Sequence, residues 1–237
     1  MKNVLITGGT GFVGKKLTDL LLEKGYSVSI LTRKPKPNSK NIFYYKWNID
    51  ANYLDETAVL NADFIINLVG ENIAEKRWTT SRKKAILASR IKPIQLIYTT
   101  LKKHNKKLDA FISASAVGIY GTDISNESCT ENSNFGTDFL ATVCQKWENE
   151  VVTISNLNIR TVKIRTGLVF GNGGFLTKIQ ALFKYKLGSV LSTGNQFMPW
   201  IYIDDLCKVY LFAIENETVF GTYNAAVTDQ TTNLSFS

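Results

Sequence analysis

Asn3 to Gly14 reads N-V-L-I-T-G-G-T-G-F-V-G, and this stretch decides the fold. Asn3–Thr7 is a short apolar run that predicts a buried strand, and residues 15–25 place leucines on one side of a predicted helix. The glycines lie between the two elements. A glycine-rich turn from a strand into a helix is the context that a dinucleotide-binding loop requires.

The three glycine positions of this loop have different physical tasks. Gly9, Gly11 and Gly14 match G-x-G-x-x-G, and Gly8 in place of Gly9 gives G-x-x-G-x-x-G. The first permits a tight turn, the middle one lets a pyrophosphate approach the backbone, and the last lets the helix pack closely on the strand. The helix N-terminus then offers free N–H groups to phosphate. A glycine-rich turn without a ligand is the alternative, and the context favours the cofactor.

The end of the second predicted strand, residues 27–32, bears on the choice of cofactor. An acidic residue there would bind the adenosine 2′-hydroxyl and favour NAD(H), whereas a basic residue accommodates a 2′-phosphate. The chain reads Thr32-Arg33-Lys34 with no acid. We therefore predict NADP(H) as the cofactor, with the Arg33 guanidinium donating two hydrogen bonds to the 2′-phosphate and the Thr32 hydroxyl as a further donor. An arginine that merely faces solvent is the alternative.

Strand and helix patterns alternate along the rest of the chain. This alternation predicts an α/β fold, a Rossmann-type doubly wound parallel sheet, with ligands beyond the carboxyl ends of its strands. We expect further strands at 42–47, 63–69, 109–115, 158–165, 201–203 and 222–226, and helices at 53–61, 81–104, 137–154, 175–187 and 204–215. Pro93 should kink or restart its helix, and Asp204 should cap its own. Residues 8–14, 32–33 and 68–70 should converge.

We divide the chain into an NADP-binding domain, residues 1–165 with part of 200–226, and a small, incomplete substrate-binding region, residues 166–237.

Further candidate site residues follow the later strands. Gly70 follows a near-continuous apolar strand, where a small residue would let the cofactor pass close. Arg90 lies in the next helix, which commonly runs past the cofactor, and a surface arginine is the alternative. Ser115 and Tyr120 follow the fifth strand, near the carboxyl edge of the sheet.

Composition narrows the classes of partner. The net charge is +8, which nucleic-acid binding would explain, but the lysines are spread along predicted loops and helix faces. We expect a solvated basic surface that favours a phosphorylated ligand and binds no nucleic acid. No apolar run approaches the ~20 residues that span a bilayer, and the N-terminus does not read as a signal peptide. We expect a cytoplasmic protein without a membrane partner. The three cysteines and one histidine have no metal-ligand spacing.

The landmarks together resemble the extended short-chain dehydrogenase/reductases, the NAD(P)-dependent epimerase/dehydratase family. The matching blocks are T-G-G-T-G-F-V-G, N-L-V-G after the fourth strand, S-A-S-A-V-G-I-Y-G after the fifth, and W-I-Y-I-D-D-L. Finer features, such as G-E-N-I and K-R-W before Arg90, look like the nucleoside-diphosphate-sugar-epimerase-like subgroup. The resemblance implies a small-molecule substrate of nucleotide-sugar type and, as is common in the family, a homodimer through two packed helices. It implies cofactor contacts at Gly8, Thr10, Gly11, Phe12, Val13, Thr32, Arg33, Leu68, Val69 and Arg90.

One departure from the family concerns catalysis. Catalytically competent members carry Tyr-x-x-x-Lys on the fifth helix, where the tyrosine moves a proton and the lysine lowers its pKa. Here Leu140 and Cys144 keep that spacing without the chemistry. Ser115 remains a candidate for holding substrate, and Tyr120 is a candidate substitute acid, with packing as its alternative role. Asp123 and Glu131 are further candidates.

A second departure concerns length. The subgroup normally continues well beyond Asn233, so we expect part of the substrate region to be absent. Two functions stay open from the sequence: an NADP(H)-dependent epimerase or reductase, and a cofactor-binding sensor or scaffold without turnover.

Overall fold

A computed structural model describes residues 1–121, 128–173, 194–228 and 231–236. Its main sheet has eight strands: β1 (Asn3–Thr7), β2 (Ser27–Thr32), β3 (Ile42–Asn48), β4 (Tyr53–Leu54), β5 (Phe64–Asn67), β6 (Ala110–Ala116), β7 (Thr161–Thr166) and β10 (Gly221–Ala225). Their order in the sheet is β10-β7-β6-β5-β1-β2-β3-β4, and all are parallel except for the antiparallel β3–β4 pair. This arrangement confirms the predicted doubly wound α/β fold.

Helices cover both faces of the sheet. They are α1 (Phe12–Glu23), α2 (Glu56–Leu60), α3 (Thr80–Lys103), α4 (Phe139–Ser155), α5 (Ile203–Glu215) and α6 (Asn233–Phe236), with a 3₁₀ turn at Val117–Tyr120. One core joins α1 and α5 to Val4, Ile6 and their neighbours on the sheet. The other joins α2, α3 and α4 to Leu5, Ile65 and Phe111. Successive side chains of a strand point to opposite faces, so each central strand feeds both cores.

The predicted helix over 53–61 was partly wrong. Tyr53 and Leu54 instead pair antiparallel with Asn48 and Trp47, and the helix begins only after Asp55, whose carboxylate accepts from the Thr57 N–H at 3.1 Å. The chain can reverse here because Asn52 adopts a positive φ of 49°, a conformation that asparagine tolerates well. The reversal spans only a few residues, which left no strand-length pattern to recognise.

Pro93 does not restart α3, which runs unbroken from Thr80 to Lys103 with Pro93 buried within it, and a kink at this residue stays a prediction. A second expectation about a helix is wrong. Asp204 does not cap α5, whose N-cap is Tyr202 without a side-chain bond. Its carboxylate instead pairs with the Lys16 ammonium at 2.8 Å, which ties α5 to α1. The helix predicted over 175–187 lies outside the described residues.

The C-terminal part of the chain contributes to two sheets. Strands β8 (Leu168–Phe170) and β9 (Trp200–Tyr202) form a separate parallel pair, and Phe170 stacks on Trp200 with ring centroids 5.3 Å apart. Strand β10 returns to the main sheet beside β7. The division into two domains stays a prediction. Within the described part of the chain, no helix combines the length and hydropathy needed to cross a bilayer.

We expect Asp138→Ala to lower the free energy of unfolding by about 0.5–2 kcal/mol, because this residue is the N-cap of α4. Its Oδ1 accepts from the Ala141 N–H at 2.9 Å. Urea unfolding measures the change, with Asp50→Ala on the exposed turn after β3 as the matched control. Equal midpoints for the two variants would contradict the capping role.

Candidate cofactor and active site

The glycine turn joins β1 to α1 through close backbone contacts. Gly8 has a φ of 74°, and its carbonyl accepts from the Gly11 N–H at 2.9 Å. A Cβ atom on Gly14 would lie 2.3 Å from the Gly8 oxygen and 2.6 Å from the Gly9 Cα. The last glycine therefore permits the contact between helix and strand.

The start of α1 is suited to bind a phosphate. Its N-cap, Gly11, supplies no side chain, so no side-chain hydrogen bond from the N-cap satisfies the first N–H groups. Thr10 and Gly11 are exposed. The first N–H groups of a helix have no partner within it and carry partial positive charge. These features fit the pyrophosphate of a dinucleotide, whose approach a larger residue at Gly11 would obstruct.

The end of β2 lies next to this turn, because Leu31 pairs with Thr7. Thr32 is buried, and its Oγ1 accepts from the Lys34 N–H at 3.3 Å, so its hydroxyl also shapes the turn. Arg33 is exposed and has no side-chain hydrogen bond or ion pair to another residue of the described chain. A guanidinium in this state is available to a ligand phosphate.

The segment after β5 completes this edge, as the sequence predicts. The Leu68 N–H donates to the Thr7 carbonyl at 3.1 Å, and a Cβ on Gly8 would lie 3.1 Å from the Leu68 carbonyl carbon and the Val69 nitrogen. A Cβ on Gly70 would lie 3.1 Å from Arg90 Cζ. Residues 8, 68–70 and 90 are therefore neighbours.

Arg90 is more constrained than an arginine on an open surface. It donates to the carbonyls of Ile86 at 3.0 Å and Glu71 at 3.2 Å, and its Cζ lies 5.3 Å from the centre of the Trp147 ring. Burial lowers the pKa of Arg90 from its usual value. The protein thus holds the guanidinium in place beside Gly70.

Phe12 and Val13 occupy the first turn of α1, and both pack against the core. A Cβ on Gly171 or Gly173 would come within 3.2 Å of the Phe12 ring. A cavity of about 560 Å³ opens on this side, lined by the glycine loop, the first turns of α1 and α5, and Asn172. The C-terminal part of the chain therefore borders the loop.

Ser115 belongs to a buried polar cluster. Its hydroxyl donates to Glu148 Oε1 at 2.7 Å. The Glu148 carboxylate also pairs with Arg165, through Nε at 2.8 Å and Nη2 at 3.0 Å. Because an ionised carboxylate only accepts, the Ser115 hydrogen points to Glu148 and the Ser115 oxygen keeps its lone pairs for another donor. The catalytic role of Ser115 stays a prediction.

Tyr120 extends the same cluster. Its hydroxyl donates to Asn224 Oδ1 at 2.7 Å and accepts from Arg165 Nη1 at 2.9 Å. The Asn224 N–H in turn donates to Glu131 at 2.7 Å, a bond that lowers the pKa of this carboxyl. Tyr120 would have to break its bond to Asn224 before it could protonate a substrate, so the geometry favours its packing role. Asp123 lies outside the described residues.

Leu140 and Cys144 are the two residues that keep the tyrosine–lysine spacing of the family motif. Leu140 lies at the amino end of α4 across from the 3₁₀ turn, 3.9 Å from where a Cβ on Gly118 would be. Cys144 is buried, and burial raises the pKa of its thiol to about 11. The thiol is therefore neutral at pH 7 and supplies no positive charge to activate a phenol.

Sequence reasoning missed the Glu148–Arg165 pair and a second polar chain. In that chain Thr7 Oγ1 donates to Asn67 Oδ1 at 2.7 Å, and Asn67 Nδ2 donates to Ser113 Oγ at 3.1 Å. The sequence signal that could have revealed the pair was Glu148, a carboxylate on the apolar face of α4.

The single histidine does not mark a metal site. His104 is the C-cap of α3 and contacts Glu56 at 2.7 Å. Among the described residues, no group of three or more metal-binding side chains occurs.

Comparisons with known proteins agree on one family. A family model described as NAD dependent epimerase/dehydratase matches residues 4–226. The epimerase family protein YfhF of Bacillus subtilis is 34% identical over 223 residues, which cover 94% of this chain and 73% of that protein.

Two solved structures are similar to this chain in both fold and sequence. One is the human epimerase family protein SDR39U1 with NADPH, at a TM-score of 0.84 and 31% identity, covering 99% of this chain and 77% of that one. The other is a nucleoside-diphosphate sugar epimerase from Corynebacterium glutamicum, at a TM-score of 0.84 and 33% identity, covering 99% of this chain and 48% of that one.

Proposed function

Because this chain belongs to the NAD-dependent epimerase/dehydratase family, we propose that it binds NADP(H) and uses it for hydride chemistry on a small polar or nucleotide-sugar-like substrate. The observation that carries the choice of NADP(H) is the end of β2. There Arg33 is exposed and unpaired within the described chain, and no acidic residue takes the place that would bind a 2′-hydroxyl. The NADPH named with the human SDR39U1 structure supports the same choice.

Different residues of this chain would bind different parts of the cofactor and the substrate. The first turn of α1 would hold the pyrophosphate, Arg33 the 2′-phosphate, and Gly70 would leave room for the cofactor beside Arg90. The nicotinamide, when bound, supplies or accepts the hydride. Ser115 would accept a hydrogen bond from a substrate hydroxyl, since its own hydrogen is donated to Glu148. This polarity favours an alcohol over a carbonyl at that contact.

A second candidate function is an NADP(H)-binding sensor or scaffold without turnover. It is favoured by Leu140 and Cys144 at the motif spacing and by the Tyr120 hydroxyl already bonded to Asn224. Screening sugar nucleotides with NADP⁺ and simple carbonyls with NADPH separates the two, provided that product formation is followed as well as cofactor absorbance, because an epimerase returns the hydride and leaves no net change in its cofactor. Conversion of any substrate would exclude the sensor, and cofactor binding without conversion would favour it.

We expect Arg33→Ala to weaken NADPH binding by about tenfold or more and to leave NADH binding unchanged. Hydrogen bonds to charged groups contribute roughly 1.5–3 kcal/mol, and only NADPH has the 2′-phosphate. Isothermal titration calorimetry measures both affinities. Lys36→Ala, in the same exposed loop, is the matched control. Equal losses for NADPH and NADH would contradict the assignment of Arg33, and wild-type protein that binds neither would contradict the proposed function.

A further inference from the structure

The loop between β5 and α3 is tightly organised at residues 71–79, which we call the rim loop. The Glu71 carboxylate pairs with the Arg82 guanidinium, and Arg82 Nη2 also donates to the Asn72 carbonyl at 2.6 Å. The Glu71 N–H donates to Ser89 Oγ at 3.0 Å. Thr79 caps α3 by accepting from the Arg82 N–H at 3.2 Å. The rim loop is therefore fixed to α3 at both of its ends.

Trp78 is the prominent side chain of the rim loop. Its indole N–H donates to the Ile73 carbonyl at 2.7 Å, which fixes the ring, yet the residue stays 40% exposed. The indole packs edge-to-face on Phe139, with centroids 5.4 Å apart and planes at 64°. An ordered, half-exposed indole presents an aromatic surface that costs little entropy to use in binding.

The position of this surface connects it to the candidate active site. Phe139 is the first residue of α4 and directly precedes Leu140, which with Cys144 keeps the spacing of the family motif. At the other end of the rim loop, the Glu71 carbonyl accepts from Arg90, which adjoins Gly70. The rim loop thus runs from the predicted cofactor contacts to the amino end of α4.

The charge around Trp78 is strongly positive. Residues 71–84 contain five cations and two carboxylates, of which Glu71 and Arg82 neutralise each other. The remaining cations are exposed, and they have no ion pair within the described residues: Lys76, Arg77, Lys83 and Lys84. Glu75 is the one remaining carboxylate. Lys83 Nζ lies 5.0 Å from the centre of the Phe139 ring, so charge and aromatic surface adjoin.

We propose that Trp78, with Lys76 and Arg77, forms a substrate subsite for a nucleoside diphosphate, whose base stacks on the indole and whose phosphates contact the cations. The subsite rests on the proposed function, because it deepens the choice of substrate at the same edge of the sheet. Base–aromatic stacking contributes about 1–3 kcal/mol per base and accepts any base. Exposed cations add an attraction that weakens with salt.

The test is calorimetric titration of the protein, saturated with NADP⁺ so that the cofactor site is filled, with UDP, uridine and inorganic pyrophosphate. We expect UDP to bind more tightly than either fragment. Trp78→Leu should weaken UDP binding by about tenfold, whereas Trp78→Phe, which retains a ring, should keep most of the affinity. Lys76→Gln with Arg77→Gln should weaken UDP and pyrophosphate together. Lys24→Gln, at the exposed carboxyl end of α1, is the control.

Each outcome bears on the proposal. Absence of UDP binding, or a UDP affinity that Trp78→Leu leaves unchanged, would overturn it. The NADP⁺ affinity of each variant is measured in the same series and should stay at the wild-type value, which also shows that the variants fold. A protein that fails to bind NADP⁺ would contradict the proposed function, while titration with UDP alone would still test the subsite.

Discussion

Glu148→Ala is expected to destabilise the protein by about 3–5 kcal/mol, the usual cost of removing one partner of a buried ion pair. The side chains of Glu148 and Arg165 are only 7% and 3% exposed. Without the carboxylate, the Arg165 guanidinium stays in the interior with its charge uncompensated. The Ser115 hydroxyl also loses its acceptor. The loss of fixed structure should extend to Tyr120, Glu131 and β10, because Arg165 also donates hydrogen bonds to Tyr120 and to the Glu131 carbonyl.

Urea unfolding of Glu148→Ala measures this loss, and Glu150→Ala provides the control. Glu150 lies two residues further along α4 and bonds to Gln95 at 2.9 Å on the more exposed side. We expect the control to cost no more than about 1 kcal/mol, as is usual for exposed polar contacts. The double variant Glu148→Leu, Arg165→Met should cost much less than the sum of the single changes, because no buried charge remains unpaired. Additive losses would contradict a direct pair.

The sequence predicts local features of this molecule better than contacts between distant residues. The loop at 8–14 and strands β1 and β2 are recognisable because their pattern and glycines are contiguous. Ser115, Glu148 and Arg165 are far apart in the chain and meet only when α4 packs on β6 and β7. No periodicity encodes that meeting. A serine predicted to face substrate therefore proved to be bonded to a carboxylate of another element.

The candidate cofactor edge, in contrast, could be anticipated from the fold class. In a parallel sheet the carboxyl ends of neighbouring strands lie together, so the fold class alone brings the segments after β1, β2 and β5 to one edge. The neighbours Gly8, Leu68 and Gly70 agree with this rule. The rim loop is not covered by the rule, because its course depends on the particular bonds of Glu71, Trp78 and Arg82.

Gly14→Val is expected to abolish NADPH binding and to destabilise the protein by about 3 kcal/mol or more, the upper range for overpacking. The added Cβ would overlap the Gly8 oxygen and the Gly9 backbone, which cannot move without displacing the turn from β1. Urea unfolding and calorimetry with NADPH measure the two effects. Gly118→Ala is the control, because its Cβ would meet only Leu140, at 3.9 Å. A Gly14→Val protein with wild-type stability would contradict the close contact.

Gly11→Ala separates the two tasks that the glycine loop combines. The Gly11 backbone has a φ of −79°, which any residue can adopt, and its Cβ would approach only the Gly8 oxygen, at 3.2 Å. The variant should therefore fold with a loss of stability of about 1 kcal/mol, because alanine is less favourable than glycine at an N-cap. A methyl group at this exposed position would nevertheless obstruct a pyrophosphate, so NADPH should bind at least about tenfold more weakly, a difference of roughly 1.4 kcal/mol. A small loss of stability with weak NADPH binding in Gly11→Ala, beside the large loss of both in Gly14→Val, would establish that the loop serves ligand binding as well as packing.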